Sequence, residues 1–93
     1  MKSKFENSKI EIEFVEEKVN DMSNKSFIFN VDIKDFDTPK LNVEYEIKEG
    51  LINRAWIDEK GEINLPKSHV VYKIFTLVEY EVSEIIKFMI KHL

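Results

Sequence analysis

The sequence has no cysteine and little glycine, proline or arginine. Its 93 residues include no Cys, two Gly and two Pro, and Arg54 is the single arginine among 14 basic residues. The absence of cysteine excludes disulfides, thiolate metal sites and thiol chemistry. Two isolated glycines provide no glycine-rich loop that would cradle phosphate groups. Because lysine is a point charge on a flexible stem, a chain with one arginine is poorly suited to bidentate recognition of bases.

A surplus of basic charge is also missing. The 18 acidic residues outnumber the 14 basic ones, and the formal net charge is −4. Since binding to a phosphate backbone relies on clustered basic charge, we expect no direct binding to nucleic acid. No apolar run follows Lys2, so we expect neither a signal peptide nor a membrane span. A cytoplasmic protein without a membrane partner is the corresponding expectation.

Apolar and polar residues alternate regularly over the first two thirds of the chain. Strict alternation is typical of strands with one buried face. The pattern predicts strands at about 9–19, 26–34, 40–48 and 51–57, with a further candidate at 62–65. A chain of 93 residues with 43% hydrophobic side chains is expected to form a single domain over 1–93.

After Pro66 the apolar spacing changes to steps of three and four. This period predicts one long helix at about 66–92. The expected fold is therefore α+β, an antiparallel β-meander of four or five strands packed against one long C-terminal helix. Such a helix reaches roughly 40 Å, whereas a domain of this size has a diameter of roughly 32 Å. The helix either overhangs the domain or is broken, and an overhanging apolar helix favours a dimer or larger homo-oligomer.

Three sets of residues are candidates for contacts between protein chains. Carboxylates on the polar phase of the strand patterns would share one sheet face in a meander: Glu11, Glu13, Asp32, Glu44 and Glu46. Their alternative role is that of a solvated sheet face. Trp56 and Ile52 are candidates for an exposed contact surface, the alternative being a second core layer. Apolar residues that widen the helix stripe are expected at a self-association interface: Val70, Ile74, Leu77 and Phe88.

Residues suited to catalysis are few. His69 and His92 are isolated in the sequence, without a second ligand at metal-binding spacing. Ser68 is adjacent to His69, but adjacency in sequence does not make a catalytic triad. We therefore expect no catalytic residue, no metal site and no cofactor, and a function other than catalysis.

One segment near the C-terminus resembles a known family. Leu77–Ile85 reads Leu-Val-Glu-Tyr-Glu-Val-Ser-Glu-Ile, which is similar to the Tyr-Glu-Val-Thr-Glu-Ile segment near the end of small Firmicutes proteins with a SecB-like fold. SecB-like proteins pair a four-stranded antiparallel sheet with a following helix, assemble through those elements, and hold unfolded chains on exposed apolar surface. The resemblance implies the same order of strands and helix, and a role as a chaperone or adaptor.

Two functional interpretations follow from these features. The first is a non-enzymatic domain that binds a protein partner and associates with itself, of which a SecB-like chaperone or adaptor is one version. The alternative is a small acidic inhibitor from a phage or mobile element that binds and blocks a host protein. Such an inhibitor would be an anti-defence protein, resembling anti-CRISPR proteins or nucleic-acid mimics in its mode of action. Heavy use of Lys, Ile and Asn reflects AT-rich codons, which suits a low-GC bacterium or its phage.

Overall fold

The computed structural model describes residues 3–19, 22, 24–36, 39–57 and 65–93. An antiparallel sheet of five strands, in the order β1-β2-β3-β4-β5, packs against two C-terminal helices. The strands are β1 Lys4–Glu6, β2 Ile10–Val19, β3 Lys25–Ile33, β4 Leu41–Glu46 and β5 Leu51–Ile57, and the helices are α1 Val70–Thr76 and α2 Glu79–Lys91. The α+β class and the antiparallel sheet predicted from the sequence are confirmed.

The sheet gains a strand at its N-terminal end, where the sequence shows no periodicity. β1 is only three residues long, and Phe5 at its centre packs against the core. The strand predicted at 62–65 is a different segment, and its residues 62–64 lie outside the described residues. The backbone N–H of Leu65 donates a hydrogen bond to the carbonyl of Ala55 in β5 (2.9 Å).

Alternation along each strand gives the sheet an inner face, which meets the helices, and an outer face. The inner face buries Ile10, Ile12, Phe27, Phe29, Val31, Ile33, Leu41, Val43, Tyr45 and Ala55. The helices contribute Val71, Phe75, Val82, Ile86 and Met89 to the same core. Both helices pack on the inner face, so in the described part of the chain the outer face has no helix over it.

A β-bulge at Asn53 decides which residues of β5 face the core. Asn53 is the extra residue at the register shift between β4 and β5. The bulge turns Ile52 to the inner face, where it packs against the core, while Arg54 and Trp56 lie on the outer face. Simple alternation places Ile52 and Trp56 on one face, and that prediction is wrong because a bulge reverses the phase.

The C-terminal helix is broken, so the prediction of one long helix over 66–92 is wrong. Helix α1 begins only at Val70 and ends at Thr76, whose Oγ1 donates to the carbonyl of Lys73 (2.6 Å). The N–H groups of Leu77 and Val78 each bond to the carbonyl three residues back, which tightens the last turn. Val78 then precedes the first residue of α2 with φ −121° and ψ 6°, outside the helical region.

The break fits α2 to the width of the sheet. Five strands spaced by about 4.8 Å make a sheet about 19 Å wide, and the 13 residues of α2 rise about 20 Å. Tyr80 of α2 and Leu51 of β5 line one open cleft, and Phe88 of α2 and Phe5 of β1 line another, so the helix crosses from one edge strand to the other. The described structure measures 36 × 27 × 22 Å. Helix α2 does not extend beyond these dimensions. The sequence predicts self-association from a helix that overhangs the domain, and the described residues contain no such overhang.

Candidate protein-binding surface

Three carboxylates lie in a row across the outer face of the sheet. Glu6 of β1 is the cross-strand partner of Glu11 of β2, and Glu11 is in turn the partner of Asp32 of β3. Like charges directly opposite one another across strands destabilise a sheet. We call Glu6, Glu11 and Asp32 the acidic row.

Two lysines offset part of the repulsion in the acidic row. The Nζ atom of Lys4 lies 2.9 Å from Oε2 of Glu11, and Lys34 donates a hydrogen bond to the carboxylate of Glu6. The hydrogen bond and charge of Lys34 hold the pKa of Glu6 below its ordinary value. The hydrogen bond and charge of Glu11 raise the pKa of Lys4. Asp32 is thus the member of the row that has no ion pair with any described residue.

Glu13 adds a fourth carboxylate next to the acidic row. It lines a shallow cleft together with Glu11, Asn30, Asp32 and Lys40. Glu13 and Asp32 are both half-buried, and neither forms an ion pair within the residues that the structure describes. Lys40 in the cleft and Lys4, the cross-strand partner of Glu13, are the nearby cations, but neither forms an ion pair with Glu13 or Asp32 among the described residues.

The other two predicted carboxylates, Glu44 and Glu46, have partners on the opposite side of the same face. Oε1 of Glu44 lies 3.4 Å from Nε of Arg54, and Oε2 of Glu44 accepts a hydrogen bond from Oγ of Ser26 (2.8 Å). Glu46 accepts a hydrogen bond from Nδ2 of Asn53 (3.0 Å). The structure therefore places all five predicted carboxylates on the outer face, but in two groups with different surroundings.

Trp56 lies on the outer face but is not exposed. Its exposed fraction is 3%, and the guanidinium carbon of Arg54 lies 4.3 Å from the centre of its ring, an attractive cation–π arrangement. Ile28 and Asn42 of the same face are also buried. The exposed contact surface predicted for Trp56 with Ile52 is therefore absent. Trp56 fits the alternative prediction of a second core layer, because it is buried on the outer face. Ile52 packs instead against the main core on the inner face.

The residues predicted for self-association differ in their exposure. Ile74 packs against the core, whereas Val70, Leu77 and Phe88 are 64%, 73% and 62% exposed. Tyr80 was not among the predicted residues, yet it is 79% exposed. Its position outside the i, i+3, i+4 core stripe of the helix identifies it in the sequence as a candidate exposed aromatic residue.

Both histidines have structural positions at helix ends. His69 is the N-cap of α1, and its Nδ1 accepts a hydrogen bond from the backbone N–H of Val71 (3.1 Å). His92 follows α2, with its ring centre 4.6 Å from that of Phe88. In the described ranges, no three His, Asp or Glu side chains form a group that could hold a metal ion.

Comparisons with known proteins leave the SecB-like resemblance as a prediction. No family model, curated protein or solved structure matches this chain. Neither of the two described helices has the length and apolar character required to cross a membrane.

Proposed function

We propose that this protein is a non-enzymatic protein-binding domain whose partner docks on the outer face of the sheet. The acidic row supports this role most directly, because it sets three carboxylates opposite one another on three neighbouring strands. Opposed like charges weaken strand pairing, and the lysine contacts to Glu6 and Glu11 leave Asp32 without an ion pair among the described residues. Local conflicts of this kind are expected at positions selected for function rather than for folding.

The partner that fits this face is a protein surface rich in Lys and Arg. Glu13 and Asp32 would each accept charge-assisted hydrogen bonds from ammonium or guanidinium groups of the partner. Lys4 and Lys34 hold Glu11 and Glu6 in position, so these two neighbouring side chains lose little further freedom when a partner binds. Attraction between opposite charges raises the association rate, and it weakens as salt concentration rises.

Charge reversal at the two carboxylates without ion pairs tests this docking surface. The double variant Glu13→Lys with Asp32→Lys places cations where the partner's cations would bind. It should raise the dissociation constant for a purified partner at least tenfold, which corresponds to about 1.4 kcal/mol. For the wild type, the dissociation constant should also rise with salt, and more steeply than for the variant. Isothermal titration calorimetry at two salt concentrations measures both effects.

A matched control distinguishes loss of the docking surface from a general effect of net charge on binding. Glu17→Lys with Glu49→Lys makes the same change in charge at two exposed positions, at the end of β2 and in the β4–β5 turn. This control should bind like the wild type. If it weakens binding as much as the test variant, net charge accounts for the effect and the outer face is not the docking site. Unchanged affinity of the test variant would also contradict the proposal.

The two interpretations drawn from the sequence differ in the nature of the partner, and both stay predictions. A SecB-like chaperone would hold unfolded clients, for which the exposed side chains of Leu77, Tyr80 and Phe88 offer apolar contacts. A phage or mobile-element inhibitor would bind one folded host protein through the acidic row. Light scattering of a chemically unfolded client separates them. Protection that survives charge reversal at Glu13 and Asp32 favours the chaperone, and no protection favours the inhibitor.

A further inference from the structure

The side of α2 that faces away from the sheet combines exposed aromatic residues with a separation of charge. Tyr80 and Phe88 are 79% and 62% exposed, and eight residues set them about 12 Å apart along the helix axis. The exposed charged residues are acidic in the N-terminal half, Glu81 and Glu84, and basic in the C-terminal half, Lys87 and Lys91. We call these six residues the α2 surface.

The α2 surface is continuous around the helix. At about 100° per residue, its six positions fall within about 120° of the helix circumference. They lie opposite the buried residues of α2, Val82, Ile86 and Met89, which pack on the sheet. Since the sheet covers only the other side of the helix, the α2 surface is available to another chain.

We propose that the α2 surface binds the α2 surface of a second copy of this chain, with the two helices antiparallel. A twofold axis then brings the acidic half of each helix against the basic half of the other. Glu81 and Glu84 of one copy approach Lys87 and Lys91 of the second copy, whereas a parallel pair would oppose like charges. The same symmetry directs Tyr80 towards the half of the second helix that carries Phe88.

A second copy fits this surface because, in an antiparallel pair, the acidic half of one helix faces the basic half of the other. Aromatic side chains are enriched at the centres of protein interfaces, and here they accompany the charges on one helix side. Acidic first turns and basic last turns also stabilise a helix through its dipole. A decisive experiment therefore has to measure association and not helix stability. This interface lies on the opposite side of the sheet from the outer face, and it goes beyond the function proposed above.

Two charge-reversed variants test the antiparallel pairing. Glu81→Lys with Glu84→Lys makes the α2 surface uniformly basic, and Lys87→Glu with Lys91→Glu makes it uniformly acidic. The wild type should sediment as a dimer of about 22 kDa, twice the 11.1 kDa of the chain. Each variant alone should sediment as a monomer. An equimolar mixture of the two variants should restore the dimer, because opposite charges meet again.

Several results would overturn this pairing. Sedimentation of the wild type as an 11.1 kDa monomer at every concentration is one of them. Dimerisation of either variant alone, or a mixture that stays monomeric while the wild type dimerises, contradicts the charge arrangement. Circular dichroism establishes that each variant is folded. Partner binding at Glu13 and Asp32 is measured separately, so failure of the dimer leaves the outer-face proposal untouched.

The lack of cysteine permits a second readout with single substitutions. Glu84→Cys sets a thiol near the centre of the α2 surface, where an antiparallel pair brings equivalent residues together. This variant should form a disulfide-linked dimer in air. The pairing of Glu81 and Glu84 with Lys87 and Lys91 sets the twofold axis between residues 85 and 86, so the two copies of Lys91 would lie about 16 Å apart along the helices, beyond the Cα separation of about 7 Å that a disulfide spans. Cross-linking of Lys91→Cys without cross-linking of Glu84→Cys would overturn the antiparallel arrangement.

Discussion

At the scale of single residues, Phe29 contributes most clearly to the core. It is fully buried on the inner face, and its ring makes an edge contact with Phe14 at 5.7 Å between ring centres. Phe29→Ala should lower the free energy of unfolding by about 3–5 kcal/mol, because apolar contacts are lost and a cavity remains. Phe36, which is 43% exposed, provides the control. Phe36→Ala should change the free energy of unfolding by about 0.5 kcal/mol or less. Urea denaturation measures the free energy of unfolding of both variants. An equal loss in Phe29→Ala and Phe36→Ala would contradict the burial of Phe29.

The ion pair between Lys34 and Glu6 makes part of the stability depend on pH. Because Lys34 holds the pKa of Glu6 below its ordinary value, about 4.3 in an unfolded chain, folding favours the charged carboxylate. The contribution is complete above the unfolded-state pKa and is lost as the pH falls through the folded-state pKa.

Lys34→Met removes this contribution and should therefore be less stable than the wild type near neutral pH. The difference in unfolding free energy should shrink below about pH 4. Thermal unfolding across the acidic range measures this difference. Titration of the Glu6 side-chain carbon by NMR should show the pKa returning towards its ordinary value in Lys34→Met. A stability difference that grows on acidification would contradict the assignment.

The sequence predicts which face of the sheet carries the carboxylates of the candidate site. It does not predict which residues contact them. Alternation is a local property, so the strand pattern places Glu11, Asp32 and the other predicted carboxylates on one face. The neutralising contact from Lys4 depends on β1, a strand too short to show alternation. Trp56 is buried on the outer face beside Asn42, its cross-strand partner in β4, and this arrangement depends on strand pairing. Such contacts require the tertiary arrangement, which the spacing of residues does not contain.

At the scale of elements, the β4–β5 turn depends on Gly50. Its φ of 68° lies in the left-handed region, which other residues enter at a cost of roughly 1–2 kcal/mol. A Cβ atom at this position would lie 3.8 Å from the hydroxyl oxygen of Tyr45, an ordinary contact. Gly50→Ala should therefore lower the free energy of unfolding by about 1 kcal/mol, and Gly50→Asn by less, because Asn tolerates this conformation. Chemical denaturation measures both variants. An equal loss of unfolding free energy in Gly50→Ala and Gly50→Asn would contradict the explanation from backbone conformation alone.

The bulge in β5 yields a prediction about register. Deleting Asn53 removes the extra residue and leaves Ile52 on the inner face and Arg54 on the outer face, so the fold should persist. Deleting Ala55 instead moves Arg54 into the position that faces the core, and this variant should unfold. Amide NMR spectra distinguish the two results. Loss of the folded spectrum in the Asn53 deletion would contradict the bulge.

The break between α1 and α2 is invisible in the sequence for a physical reason. Val71, Phe75, Val82 and Ile86 keep helical spacing across the break, so the apolar period does not change there. The break coincides with the side-chain hydrogen bond of Thr76 to the backbone. It also matches the helix to the width of the sheet, a dimension set by strand pairing far away in the sequence.

At the scale of the whole molecule, the two proposed surfaces lie on opposite sides. The acidic row is on the outer face of the sheet, and the α2 surface is on the far side of the helix that packs on the inner face. A second copy bound to the α2 surface therefore leaves the acidic row open. The resulting dimer would present two acidic rows, which increases avidity for a partner with repeated basic sites.

The most direct test of the central proposal is an amide chemical-shift map recorded while a purified partner is added. Docking on the outer face predicts that shifts concentrate at residues of the acidic row and its surroundings, including Glu13 and Asn30. Amides of the α2 surface, including Tyr80 and Phe88, should remain unchanged at constant dimer content. Shifts that concentrate on the helices and spare the outer face would contradict the proposed docking surface.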